Sequence, residues 1–224
     1  MKIYIVTLFS DMFRPVIGMS MLAKAQDQKL VEYELVDLRE FGIGPRNTVD
    51  DTPYGGGAGM VLKPEPIFDA VESIQKKEKN SKVIITTPRG KKYNQTMAKN
   101  LVKEECLIIL CGHYEGFDER IMSIVDHEIS LGDFVLTGGE IPAMAIVDSV
   151  VRLIPGVLGD DQSNKDESFS AGLLEYPQYT RPEDFRGKKV PDVLRSGNHA
   201  QINQWRKEQA IIKTKANRPD LIDF

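Results

Sequence analysis

The residues of this 224-residue chain best suited to chemistry are an arginine, a run of acids and four glycine-bearing segments. Arg152 stands in DSVVRLIPG, and Asp160, Asp161, Asp166 and Glu167 follow it in a stretch of Gly, Asp, Ser and Asn. A carboxylate that accepts a proton and a guanidinium that stabilises an anion are what proton abstraction from a base ring requires. An arginine alone on a helix is an ordinary surface residue; the neighbouring acids make this one a candidate.

The glycine segments suit ligand binding. Residues 53–60, PYGGGAGM, place four glycines in five positions, which permits close backbone approach and positive φ at a cost in chain entropy. Such a segment wraps a ligand or another chain, or is an ordinary turn. CGHYEGFD, 111–118, follows an apolar run, at the edge where open α/β sheets bind ligands. There the backbone at Gly112 and the Tyr114-Glu115 pair can face a ligand, and the Glu115 carboxylate suits a cationic or hydroxyl-bearing group. Asp118 reads as a helix cap. SLGDFVLTGGEIP, 130–142, again sets glycines between a strand and a helix. Its backbone can read an adenine edge, with Leu131, Phe134 and Leu136 in apolar contact. Pro88-Arg89-Gly90 forms a further loop on this edge, after a strand ending at Thr87. No G-x-G-x-x-G follows a strand, which counts against a nicotinamide enzyme.

The elements that must position these segments are short β-branched runs alternating with helical patterns. Ile3 to Phe9, Val31 to Leu38, Val83 to Thr87, Leu107 to Cys111 and His127 to Leu131 read as strands covered on both faces. Helices are expected from Met12 to Gln26 behind an Asp11 cap, from Pro64 to Lys77, and from Asn94 to Glu104. Two more run from Asp118 to Val125 and from Glu140 to Leu153. The pattern predicts an α/β fold with a mostly parallel sheet. Pro155-Gly156 closes a main domain, 1–156; 157–172 reads as a mobile linker that orders on binding. Residues 173–224 form a small second domain, with a late helix capped by Asn198 and carrying Trp205, Ile211 and Ile212 as its apolar positions.

Composition narrows the class. With 41% hydrophobic residues the chain can bury a large core without disulfides or metals. Cys106 and Cys111, at the two ends of CLIILC, are too far apart along a strand to bond and read as core thiols. The three histidines are scattered, so no structural metal is expected. No apolar run reaches the roughly 18 residues of a membrane span, and no export signal is visible, which points to the cytoplasm. Net charge is −4, yet Arg181 to Arg218 holds ten Lys or Arg against four acids, +6, leaving −10 for the rest. A basic C-terminal part on an acidic body is expected where one part grips a polyanion. A solvated basic helix is the plainer reading.

Six stretches together carry a resemblance over nearly the whole chain: VDDTPYGGGAGM, CGHYEGFDER, LGDFVLTGGEIPAM, DSVVRLIPGVLG, YPQYTRP and VLRSGNHAQINQWR. In this order they closely resemble the bacterial tRNA (guanine-N1)-methyltransferases of the knotted SPOUT class. The resemblance implies transfer of a methyl group from S-adenosyl-L-methionine to N1 of the guanine 3′ of the anticodon, position 37. The product is 1-methylguanosine, which supports reading-frame maintenance. It also implies a trefoil knot at the C-terminal end of the sheet domain, a small helical domain after it that binds tRNA, and a homodimer whose active site is shared across the interface.

Carried over residue by residue, three knot loops hold the methyl donor in a bent form. They are Pro88 with its neighbours; Gly112 to Glu115, with Tyr114 and Glu115 facing the ligand; and Leu131, Gly132, Asp133, Phe134, Val135 and Leu136 with Gly138, Gly139 and Pro142. Arg152 matches the arginine that stabilises charge on guanine O6, and Asp50 a residue near the target base. The general base matches Glu167, where the family pattern has aspartate before Ser-Phe; Asp166 is the alternative. Ala58, Phe134 and Thr137 are smaller departures that preserve size. A divalent ion can act on the RNA or on developing charge without a protein ligand cluster. Two other classes compete: a nicotinamide or flavin oxidoreductase, and an RNA-binding regulator without turnover.

Overall fold

A computed structural model of the chain describes residues 1–158, 167–170 and 172–222. It divides into two compact units, Met1–Gly159 and Asp160–Phe224. In the first unit the strands are β1 (Lys2–Thr7), β2 (Glu32–Asp37), β3 (Asp50–Asp51), β4 (Val61–Leu62), β5 (Ser81–Lys92), β6 (Cys106–Cys111) and β7 (His127–Ser130). The helices are α1 (Arg14–Ile17), α2 (Ser20–Asp27), α3 (Pro64–Gln75), α4 (Gln95–Leu101) and α5 (Glu140–Val151).

Five strands pair in parallel in the order β2-β1-β6-β5-β7. Side chains alternate across a strand, so each strand serves two cores. Ile3, Ile5, Ile84, Leu107 and Ile109 face a cluster that includes Ala143, Ile146, Val147 and Val150 of α5. Tyr4, Val6, Val83, Ile85, Ile108 and Leu110 face the other, with Ile67, Ala70 and Val71 of α3. Every residue of β6 is buried, as a central strand covered on both faces requires. Cys106 and Cys111 are free, buried thiols. Val157 is also fully buried in the α5 core, beyond the Pro155-Gly156 stop.

Most element boundaries follow the sequence. Asn94 caps α4 by accepting from the Met97 amide at 3.0 Å, and Pro64 opens α3. Three expectations need correction. The helix expected from Met12 to Gln26 is broken into a 3-10 turn, Ser10–Met12, then α1 and α2, and Asp11 pairs with Arg14 instead of capping. Pro15 can stand in a first turn but not deeper, and the chain turns through φ 54° at Ser20. The helix expected from Asp118 is a 3-10 helix, Glu119–Ile124, although Asp118 does cap it, accepting from the Arg120 amide. Finally, β5 does not end at Thr87. Thr86 and Lys91 both pair with Ile129, so 87–90 bulge out of one long strand. Pro88 cannot donate to the ladder, and a Cβ on Gly90 would lie 2.5 Å from the Ile129 amide nitrogen.

The second unit, taken by itself, contains the hairpin β8 (Asp184–Phe185) and β9 (Lys188–Lys189), α6 (Asp192–Arg195) and α7 (His199–Asn217). Asn198 caps α7, accepting from the Gln201 amide at 3.2 Å. Ala210 and Thr214 are the buried positions of α7, while Ile212 is 57% exposed, contrary to its expected core role. Thr214 is held by hydrogen bonds: its hydroxyl donates to the Ala210 carbonyl and accepts from the Leu174 amide. Arg206 lies over Tyr176, and Tyr179 packs near Trp205.

Candidate active site

The segments leaving β5, β6 and β7 converge on a cavity of about 270 Å³. At its base the Gly139 amide donates to the Gly112 carbonyl at 2.7 Å, and the Thr86 hydroxyl donates to the Gly139 carbonyl at 3.2 Å. These two bonds fix the N-terminus of α5 against β5 and β6. Glycine is required at this point: a Cβ on Gly139 would land on Thr86 Oγ1 and lie 2.9 Å from Cys111 Cα.

Eleven of the thirteen residues expected around a cofactor line this cavity. Pro88 comes from the β5 bulge, and Gly112, Tyr114 and Glu115 from the segment after β6. Leu131, Phe134, Val135 and Leu136 form the wall after β7, and Gly138, Gly139 and Pro142 form the approach to α5. Tyr114 has φ 58°, a left-handed conformation that a tyrosine adopts only where the surroundings enforce it.

Gly132 and Asp133 do not line the cavity. Gly132 is the turn itself: its amide donates to Ser130 Oγ, its carbonyl accepts from Phe134, and a Cβ would meet the Phe134 ring at 2.7 Å. Asp133 points outward to Lys92 Nζ, 2.6 Å away and exposed. Arg89, beside Pro88, and His113, between Gly112 and Tyr114, line it as expected, and so do Thr86, Phe117 and Ile129, to which the sequence assigned no role at the site. A threonine at the carboxyl end of a buried strand is the one local signal for Thr86.

The glycine-rich segment is tied to the same site. Leu62 donates to the Gly116 carbonyl, and Glu115 to the Met60 carbonyl, both at 2.9 Å. Gly59, at φ 86°, lets the chain pass against Glu115; a Cβ there would collide with its carboxylate. Asp50 pairs with Leu62 across β3 and β4, half-exposed and outside the cavity. The strip therefore links Asp50 to Glu115 through backbone bonds.

The candidate catalytic pair is not assembled within the first unit. Arg152 follows the last turn of α5, donating its amide to the Asp148 carbonyl. Glu140 opens that helix beside the cavity, so twelve residues at 1.5 Å each put Arg152 roughly 18 Å further along. Glu167 belongs to the second unit, in a turn where Ser170 donates to its carbonyl at 3.1 Å. Asp160, Asp161 and Asp166 lie outside the described residues.

Chemically, the cavity offers backbone amides and carbonyls, apolar walls and a carboxylate at its rim, which suits a flat heteroaromatic ring joined to a cation. The thiol of Cys111 is no nucleophile here, since burial, and next the charge of Glu140, push it well up from its ordinary value. Among the described residues no three His, Cys, Asp or Glu group into a metal site, and no helix is long and apolar enough to cross a membrane.

Comparison with known proteins agrees with this geometry. The family described as tRNA (guanine-1)-methyltransferase TrmD matches residues 1–224. Proteins named tRNA (guanine-N(1)-)-methyltransferase are similar throughout. The one from Geobacillus kaustophilus is 56% identical over 224 residues, covering 100% of this chain and 92% of the relative. The one from Bacillus subtilis is 55% identical over 224 residues, 99% and 92%. That from Dictyoglomus turgidum is 56% identical over 223 residues, 100% and 90%.

Proposed function

The chain belongs to the tRNA (guanine-1)-methyltransferase family, and from that premise we propose how its residues methylate N1 of guanine in tRNA. It is a transferase, and S-adenosyl-L-methionine is the methyl donor. The guanine is the one 3′ of the anticodon, position 37, and the reaction takes place in the cytoplasm.

The observation that carries this reading is the cavity closed by the Gly139–Gly112 bond. Its residues fit the donor. Gly138 and Gly139 leave room for close backbone approach, Leu131, Phe134, Leu136 and Pro88 suit the faces of an adenine, and Glu115 suits a cationic or hydroxyl-bearing group. When bound, the donor supplies an electrophilic methyl on a sulfonium sulfur. The rest is done by the chain. Glu167 takes the N1 proton, with Asp166 as the alternative base, and Arg152 stabilises the negative charge that develops on O6. Asp50 holds the target base, and the cavity aligns the methyl with N1; such positioning lowers barriers by roughly 7 to 11 kcal/mol in the best cases.

Two further features belong to the same reading. A trefoil knot is supported by the path of the chain, which leaves β7 at the sheet edge yet packs α5 against β6 and β1. A homodimer with a shared active site is supported by Arg152, which is too far along α5 to reach the cavity of its own chain. The domain 1–156 then holds the donor, 157–172 is the linker, and 173–224 binds tRNA. Exposed Arg186, Lys188 and Lys189 on the β8–β9 hairpin support the last assignment.

The test is methyl transfer from labelled S-adenosyl-L-methionine to a tRNA transcript with guanine 3′ of the anticodon, beside one with adenine there. Label in the guanine transcript alone is expected. Donor binding without label in either transcript would leave an RNA-binding protein without turnover.

A further inference from the structure

Behind the cavity lies a polar cluster that the proposed proton transfer does not use. Glu140, the first residue of α5, is 3% exposed. Its Oε1 accepts from the Thr7 hydroxyl at 2.9 Å, and no lysine or arginine among the described residues pairs with it. Its Oε2 occupies the place where a Cβ on Gly138 would project, with His113 Nδ1 3.1 Å from that same point. Gly138, Gly139 and His113 all line the cavity, so the carboxylate stands directly behind the lining. His113 Nδ1 is itself buried without a hydrogen-bond partner.

A buried carboxylate without a cation is costly. The Thr7 hydroxyl and the N-terminal dipole of α5 offset part of that cost.

The donor and the product it leaves behind share an adenosine and an amino-acid group. They differ in that the donor carries a sulfonium cation, whereas the product is a neutral thioether. Besides the methyl itself, that charge is the feature by which a protein group can tell them apart. We propose that Glu140 is the residue by which the cavity favours the charged methyl donor over its neutral product. Removed from water, its charge acts over several ångströms with little screening. Glu115, exposed at the rim, is screened by solvent and salt. The consequence is preferential loading of the donor and release of the spent product. The proposal rests on the reading that the cavity holds S-adenosyl-L-methionine.

The experiment is calorimetric titration of the full-length protein with three ligands: the donor, the demethylated product, and a donor analogue with an amine-bearing carbon replacing the sulfonium. Glu140→Gln keeps the size of the side chain and the acceptor for Thr7. It is expected to weaken the donor and the cationic analogue by about tenfold while leaving the product unchanged. Equal weakening of all three ligands would make Glu140 a structural support and overturn the proposal. A changed donor-to-product ratio in Glu115→Gln, with none in Glu140→Gln, would overturn it too. Should Glu140→Gln fail to fold, the wild-type ratio is followed from low to high salt. A ratio that survives salt supports a buried charge, and one that collapses places the discrimination on an exposed carboxylate and overturns the proposal. A wild-type protein that binds no donor at all would sink the functional reading, and this inference with it.

Discussion

The Gly139 amide and the Gly112 carbonyl, 27 residues apart in the chain, meet at 2.7 Å beneath the cavity. One hydrogen bond thereby joins the start of α5 to the exit of β6, and the walls on either side inherit their spacing from it. A side chain at 139 would have to displace backbone, not a flexible side-chain end, because Gly112 N and Cys111 Cα lie 2.5 and 2.9 Å from the added Cβ.

Gly139→Ala should therefore cost about 1–3 kcal/mol of stability, as overpacking does, and lose donor binding. Urea unfolding and calorimetry measure the two effects. Wild-type affinity in a protein of wild-type stability would contradict the closure described above.

Gly59→Ala and Gly55→Ala should separate backbone strain from contact. Both positions have positive φ, at 86° and 88°, so each substitution pays about 1–2 kcal/mol. Only at Gly59 does the new Cβ meet Glu115; at Gly55 it meets nothing within 4 Å. Donor affinity should fall in the first variant and hold in the second.

Arg152→Ala should abolish methyl transfer and leave donor affinity nearly intact. Full activity in that variant would refute the role assigned to the guanidinium. Glu167→Gln should likewise stop turnover; if it turns over normally, the base moves to Asp166.

Stability should fall in acid partly through Asp126. Burial pushes this carboxyl up, but the Val83 amide and the Lys82 ammonium outweigh it and hold it below its ordinary value. A depressed carboxyl adds stability that is present above the unfolded value, about 4, and is lost as pH falls through the lower folded value. Asp126→Asn should flatten the dependence of the urea midpoint on pH in that window. An unchanged slope would show that the shift contributes nothing to folding.

Lys188→Ala combined with Lys189→Ala should weaken tRNA binding and make it less sensitive to salt. Each lysine that contacts a phosphate adds a little under one unit to the slope of log affinity against log salt, about 0.7 to 0.9. Filter binding across a salt series reads this, and a slope equal to the wild type would remove the hairpin from the RNA interface.

Local signals were enough for much of this protein. The β-branched runs at Ile3, Val83 and Leu107 determine strands whatever their partners, and Asn94, Asn198 and Asp118 cap helices through side chains only a few residues from the amides they accept from. The motif order was enough for the family, and eleven cavity-lining residues followed from it. Where local rules compete, the apolar pattern alone does not decide the outcome. Pro15 and Ser20 broke a helix that its apolar spacing favoured, and Ile212 turned to solvent because the packing of α7 chose Ala210 and Thr214 instead. Other properties exist only between distant residues. That β5 continues past Pro88 depends on Ile129 pairing twice, the Asp133 carboxylate meets Lys92 from another strand, and the buried Glu140 carboxylate meets Thr7, 133 residues away. A side chain's burial and charge environment are set by whatever the fold brings against it, so no spacing along the chain could have encoded them.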